Sequence, residues 1–187
     1  MELMIVAGMM FFVFFGMAGY LFSRFRICPS DKILVVYGQT GTGKSSKCIH
    51  GGGIFVLPII QDYQYLDLTP IGINIEVKDA LCLENTMLNV SSKFTFGIST
   101  EPGIMENAAE RLLGQSQQAI QDIAKDIIMG EIRLVIAQIG FEAIKGNKEK
   151  ITNMIATNVD KELGKIGLKL ININIDRITD KNSLILI

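Results

Sequence analysis

The feature that most constrains this chain is an uncharged apolar run near its N-terminus, which extends from Leu3 to Phe22. Twenty helical residues rise by about 30 Å, which matches the thickness of the hydrocarbon core of a bilayer. The run therefore predicts a transmembrane helix within an N-terminal anchor of residues 1–26. A re-entrant hairpin that does not cross the bilayer is the open alternative. The residues expected to contact lipid include Leu3, Phe11, Phe15 and Phe22.

The charges that flank this run predict its orientation. Arg24 and Arg26 follow it directly, whereas Glu2 is the one charged residue before it. Positive charge favours the cytoplasmic side of a membrane. A cleaved signal peptide would have a basic start, a shorter apolar stretch and a small-residue cleavage site. We therefore expect a single-pass protein of the cell membrane with its soluble domain in the cytoplasm.

The composition of the whole chain excludes one class of partner. The chain has 187 residues and a net charge of −1, with 18 basic and 19 acidic side chains. A nucleic-acid-binding protein needs a basic excess, which this chain lacks, so we expect no nucleic acid partner. About 160 residues follow the anchor, which is enough for one domain with its own core.

The three cysteines, Cys28, Cys48 and Cys82, are too few and too widely spaced for a disulfide framework or a zinc site. Reduced thiols are the expected state. Cys28 lies just beyond the apolar run, where cysteines can be S-acylated, so it is a candidate acylation site.

The pattern after the anchor predicts strands first and helices later. Ile33–Tyr37 and Tyr63–Leu68 have the composition of strands, and Gly38–Gly53 resembles a loop. Apolar and polar residues alternate along Ile71–Lys78 and Leu88–Ile98. We expect an antiparallel meander between residues 33 and 99.

Three helices and one strand are predicted after Pro102. The helices are Ile104–Leu113, one capped by Ser116 that extends to about Ile144, and one capped by Asn147 that extends to about Lys165. Leu168–Ile178 alternates again, which predicts a final strand. This order indicates an α+β fold. On the second helix the main apolar stripe is Ile120, Ile123, Ile127 and Leu134, widened by Ala124, Ile128, Ile132 and Val135; on the third it is Ile151, Ile155, Val159 and Leu163.

Residues 38–45 match the phosphate-binding pattern G-x-x-x-x-G-K-[ST], with Gly38, Gly43, Lys44 and Ser45 at its fixed positions. Such a loop binds phosphates with backbone N–H groups, a lysine and the N-terminus of the helix that follows. Three consecutive glycines at 51–53 leave little room for that helix, and the fold needs a parallel sheet. A Gly-rich hairpin loop is the simpler interpretation. We expect no cofactor, no metal site and no catalytic residue.

Several segments together resemble the SPFH (stomatin, prohibitin, flotillin) domain of flotillin-type proteins. The similarity covers about Pro29 to Asp180, and it lies in the number and order of segments rather than in one motif. The segments are Lys47–Gly52 (KCIHGG), Phe55–Gln61 (FVLPIIQ), Leu66–Ile71 (LDLTPI), Ile75–Leu81 (IEVKDAL), Gly97–Pro102 (GISTEP) and Ala108–Gly114 (AAERLLG).

The resemblance implies a curved antiparallel sheet packed by helices and lying against the membrane, here over residues 27–180. It implies a non-enzymatic, homo-oligomeric scaffold that organises membrane microdomains, or lipid rafts, and recruits membrane proteins. Flotillins continue into a coiled coil that drives assembly, whereas residues 181–187 form a short apolar tail. We therefore expect a short form with weakened oligomerisation. A membrane-bound P-loop nucleotide-binding protein and an adaptor of a membrane protease are the alternative functions.

Overall fold

The computed structural model describes residues 2–39, 46–57, 59–140 and 148–180, with residues 2–7 and 21 described by their backbone alone. The chain divides into two compact units, Met1–Tyr65 and Leu66–Ile187. The N-terminal elements are α1 (Glu2–Ser23), β1 (Phe25–Ile27), β2 (Lys32–Gly38), β3 (Ser46–Ile49), β4 (Gly53–Phe55) and β5 (Gln61–Asp67). The later elements are β6 (Ile71–Leu81), β7 (Met87–Ile98), α2 (Ile104–Leu112), α3 (Gln117–Ala137), α4 (Lys148–Lys165) and β8 (Leu168–Asp180).

The first unit contains two small sheets. In one, β2 lies between β3 and β5, and in the other β1 pairs with β4. The strand β2 is the most deeply buried, because Ile33, Leu34, Val35 and Val36 are each at most 1% exposed. The core cluster of this unit consists of Cys28, Leu34, Val36 and Val56, with Ile49, Ile54, Tyr63 and Tyr65 packed against it.

The predicted single meander over residues 33–99 is wrong in its pairing, because the strands form three separate sheets. The predicted loop Gly38–Gly53 also contains β3, which pairs antiparallel with β2. Strands of three or four residues such as β1, β3 and β4 are too short to show alternation. The pairing of β1 with β4 also joins segments that are distant in sequence, which a local pattern does not show.

The second unit has an antiparallel sheet in the order β6–β7–β8. The central strand β7 pairs with both neighbours, so that Val90 lies opposite Val77 on one side and Ile178 on the other. The helix α3 contacts β6, α4 contacts β8, and the two helices contact each other. Two helices and one sheet face therefore enclose the core, which confirms the α+β order. Its fully buried large side chains include Ile75, Leu88, Phe94, Phe96, Ile128, Ile132, Ile155 and Leu163.

The helix α3 differs from its prediction in which stripe is buried. Ile123 is 39% exposed and Leu134 is 54% exposed. Ile120 of the main stripe is buried, and the residues expected to widen the stripe form the rest of the core face, since Ala124, Ile128 and Ile132 are fully buried. Isoleucines lie on two sides of this helix, so periodicity alone cannot choose between the sides.

The predicted caps and ends of the helices were partly confirmed. Ser116 caps α3, since its Oγ accepts a hydrogen bond from Ala119 N at 3.2 Å. The helix ends at Ala137 rather than near Ile144, because Gln138 N bonds to Val135 O in a tightened last turn. The predicted stripe of α4 is buried along its length, while its predicted cap Asn147 lies outside the described residues.

Gly167 closes the turn between α4 and β8. Its φ is +89°, and a Cβ there would collide with the backbone of Ala108 in α2. Ser99 N also donates to Gly167 O at 2.9 Å. The close approach of α2 to this turn therefore requires glycine.

We expect Gly167→Ala to lower the free energy of unfolding by about 2–4 kcal/mol, because it adds backbone strain and a collision. Gly130→Ala is the matched control. No atom lies within 4 Å of a Cβ at Gly130, in the middle of α3, so alanine should be neutral or stabilising there. Denaturant unfolding of both variants measures the difference. Equal stability of the two variants would contradict the close packing at Gly167.

Candidate membrane interface

The described side chains of α1 expose apolar surface on all sides of the helix. Phe12 is 83% exposed and Phe14 is 70% exposed, and their neighbours from Met9 to Met17 are similar. A helix that is apolar all round is typical of a membrane or of a protein interior. Among the predicted lipid contacts Phe11, Phe15 and Phe22 are exposed. The side chain of Leu3 lies outside the described residues.

The predicted transmembrane span is not supported by the structure. Within the residues that it describes, no helix is both long and apolar enough to cross a membrane.

A second apolar surface begins two residues after α1. In the β1–β4 pair Phe25 lies opposite Phe55, with ring centroids 5.0 Å apart, and Ile27 lies opposite Gly53. These side chains share one exposed face of the pair, and the turn after β4 exposes more apolar side chains. We name these six residues the apolar patch: Phe25, Ile27, Phe55, Leu57, Ile59 and Ile60, whose exposures range from 41% to 93%.

The arginines predicted to flank the membrane are built into this unit. The Arg24 guanidinium lies 4.9 Å from the centre of the Tyr20 ring, and its terminal nitrogen donates to Tyr20 Oη at 3.4 Å. The Arg26 guanidinium lies 5.0 Å from the centre of the Tyr63 ring. Arg26 lies on the opposite face of β1 from Phe25, because side chains alternate along a strand. The arginines and the patch are therefore side by side in sequence but on different sides of β1.

Cys28, the candidate acylation site, is 4% exposed and belongs to the core of the first unit. Its Sγ lies 3.2 Å from Lys32 O and 3.3 Å from Ile49 O, within hydrogen-bond distance of both carbonyl oxygens. Acylation stays a prediction, and it requires the thiol to leave this core. Intact-mass measurement of the membrane-derived protein tests it.

The possible phosphate loop lies between two antiparallel strands. Gly38 ends β2 and β3 begins at Ser46, while Gly43, Lys44 and Ser45 lie outside the described residues. A strand therefore follows the motif where a phosphate loop needs the N-terminus of a helix. The backbone explains why position 38 is glycine, since its φ is +109° and a Cβ there would collide with Ile60 O. Antiparallel pairing of β2 and β3 confirms the hairpin interpretation.

The described residues offer no metal centre. No group of three or more His, Cys, Asp or Glu side chains among them is placed to hold a metal ion. His50, the single histidine of the chain, has Nδ1 3.4 Å from Lys32 O. Among the described residues, the strongest candidate for a functional site is therefore the exposed apolar and basic surface of the first unit.

The family of the chain follows from its fold and from its sequence. The model of the SPFH domain / Band 7 family matches residues 26–185, which include the three later helices and every strand except the first residue of β1. The chain belongs to the SPFH domain / Band 7 family. This confirms the resemblance that the short segments indicated.

Relatives of this SPFH protein are flotillins. It is 24% identical to flotillin-like protein FloT of Bacillus subtilis (strain 168), over 97% of this chain and 38% of the relative. It is 21% identical to human flotillin-2, over 82% of this chain and 36% of the relative, and 23% identical to human flotillin-1, over 83% and 36%. The chain thus spans less than two fifths of the length of these relatives.

Sequence reasoning missed the apolar patch of this SPFH domain. The signal was the alternation Phe25-Arg26-Ile27 and the apolar run from Phe55 to Ile60. The strand β4 ends at Phe55, and Leu57, Ile59 and Ile60 after it are exposed.

Proposed function

We propose that this SPFH protein is a membrane-attached scaffold of the flotillin type. In this proposal it assembles with copies of itself, organises microdomains and recruits other membrane proteins, and it has no enzymatic step. The observation that supports attachment is that the exposed apolar side chains of α1 are followed in the sequence by the apolar patch, with one arginine between Ser23 and Phe25. Water solvates such surface poorly, while a lipid bilayer accepts it.

The size of the apolar surface favours stable attachment. Transfer of a Phe, Leu, Ile or Met side chain out of water contributes about 1.5–3 kcal/mol when it is complete. The described part of α1 exposes eight large apolar side chains between residues 9 and 17. Burial of a few of these side chains in lipid offsets the free-energy cost of holding the domain at a membrane surface. The flanking arginines add electrostatic attraction to anionic headgroups.

We expect the double variant Phe11→Asp with Phe15→Asp to lose most of its binding to vesicles. Each aspartate near the centre of an inserted helix costs about 2.5–3.5 kcal/mol. Flotation of the full chain with phospholipid vesicles measures the bound fraction. The control is Leu83→Asp with Ile171→Asp, which changes two side chains that are 69% and 57% exposed in the second unit. Equal loss in both double variants would contradict attachment through α1.

The finer form of the proposal is a single crossing by α1 with the domain in the cytoplasm. Arg24 and Arg26 support this orientation. We expect a Glu2→Cys variant in intact cells to react at position 2 with a membrane-impermeant maleimide, while Cys48 reacts only after permeabilisation. Peptide mass spectrometry separates the two sites. Protection of both positions in intact cells would indicate a helix that enters and leaves on one side.

Self-assembly is supported by an apolar stripe on α3 that faces away from the core. Ile123 and Leu134 are 11 residues apart, which places them on one helix face. Ile127 lies between them and is partly buried. We propose that this stripe contacts a second copy of the chain.

We expect Ile123→Glu with Leu134→Glu to convert assemblies in mild detergent to monomers, because charge opposes burial of the stripe. Lys125→Glu with Arg133→Glu, on the same helix, is the matched control and should retain the assembled mass. Light scattering coupled to size-exclusion chromatography measures the mass. A parent protein that is monomeric under these conditions would contradict the assembly.

A further inference from the structure

A small polar pocket lies in the first unit beside the end of α1. Its volume is about 310 Å³, and it is lined by Arg24, Arg26, Val56, Gln61, Asp62 and Tyr63, which we name the arginine pocket. This volume is at the low end of the about 300–1,000 Å³ typical of small-molecule sites. The pocket fits a small charged group rather than a large ligand.

The two arginines of the pocket have unused hydrogen-bond donors. Neither forms an ion pair with a described residue, and Arg24 Nε is buried with no hydrogen-bond partner among the described residues. Arg24 makes one long side-chain hydrogen bond, to Tyr20 Oη at 3.4 Å. Arg26 is held by stacking on Tyr63. Guanidinium groups held in place by aromatic rings, with their donors free, are suited to bind a phosphate.

The pocket also contains a fixed negative charge. Asp62 Oδ2 accepts a hydrogen bond from Tyr37 Oη at 3.1 Å, and its Oδ1 accepts one from Tyr63 N at 2.8 Å. The hydrogen bond to Asp62 raises the pKa of Tyr37, so the phenol stays protonated as a donor. Asp62 is therefore oriented by two donors while remaining exposed. A ligand with an ammonium group would complement it.

Gln61 has a structural role in the wall of the pocket and does not determine which ligand binds. Its Oε1 accepts from Leu57 N at 3.1 Å, and its Nε2 donates to Gln39 O at 2.9 Å. Both ends of the amide are therefore used by the backbone. The charged groups that can determine ligand specificity are the guanidinium groups of Arg24 and Arg26 and the carboxylate of Asp62.

We propose that the arginine pocket binds the headgroup of an aminophospholipid, with its phosphate at Arg24 and Arg26 and its primary ammonium at Asp62. This rests on the proposed attachment through α1. Arg24 directly follows α1, and the apolar patch is formed by the same short strands. When α1 is inserted, these arginines lie at the depth where lipid phosphates are concentrated. The proposed source of the phosphate is a lipid headgroup, because free phosphate carries no cation that could pair with the Asp62 carboxylate.

The test uses the full chain in mild detergent with phosphatidylethanolamine or phosphatidylcholine added, and native mass spectrometry counts the retained lipid. We expect phosphatidylethanolamine to be retained in preference to phosphatidylcholine. Arg24→Lys and Arg26→Lys should each lower this retention at least about fivefold, since lysine keeps the charge but loses the planar fork of donors. Asp62→Asn should remove the preference between the two lipids.

Lys47→Gln is the matched control, because Lys47 is an exposed cation on β3 in the same unit. It should leave lipid retention unchanged. Equal retention by Arg24→Lys, Arg26→Lys and the parent would overturn the proposal, as would an equal loss in Lys47→Gln, which would indicate general charge attraction. Thermal melting of each variant shows whether it is folded. If one arginine variant does not fold, the other arginine variant still tests the proposal.

Two further measurements separate this proposal from the proposed function. Vesicle flotation of the arginine variants should be nearly unchanged, because α1 is intact. If the parent protein does not float with vesicles, the proposed attachment is wrong. Titration with soluble glycerophosphoethanolamine then still tests the arginine pocket, because binding should be measurable in the parent and lost in Arg24→Lys. Inorganic phosphate that binds as tightly as this headgroup would show a free phosphate site and would overturn the proposal.

Discussion

The ladder between β1 and β4 is the interaction on which the apolar patch depends. Three residue pairs form it, and Val56 N to Arg24 O at 3.2 Å and Cys28 N to Gly52 O at 2.8 Å extend it at both ends. Because this ladder starts two residues after α1, it joins the apolar helix to the first unit without a linker. A Cβ at Gly53 would lie 2.5 Å from the Phe25 ring, so the third glycine of the run 51–53 allows the two strands to pair.

Alternation along this ladder separates two kinds of chemistry. Phe25, Ile27 and Phe55 lie on the exposed face, and Arg26 and Ile54 lie on the other. A surface that binds lipid needs an apolar region for the acyl chains close to a polar, charged region for the headgroups. The same three-residue strand therefore exposes apolar side chains on one face and holds Arg26 over the Tyr63 ring on the other.

The sequence predicts long periodic elements well and short paired ones poorly. The strands β6, β7 and β8 and the stripe of α4 were located correctly, because 11 to 18 residues give a clear period. The strands β1, β3 and β4 were missed or misplaced, because three or four residues show no period. The stripe of α3 was predicted in part: Ile120 and the widening residues are buried, whereas Ile123 and Leu134 are exposed, because apolar residues occupy two faces and tertiary packing selects between them.

The chain has no tryptophan, which makes depth in a bilayer directly measurable. Single tryptophans at Phe12 in α1, at Phe55 in the apolar patch and at Ile171 on the exposed part of β8 can be tested with vesicles whose acyl chains carry bromine at defined depths. We expect deep bromine to quench Phe12→Trp, shallow bromine to quench Phe55→Trp, and neither to quench Ile171→Trp. Equal, weak quenching at all three positions in vesicle-bound protein would contradict attachment through α1 and the patch.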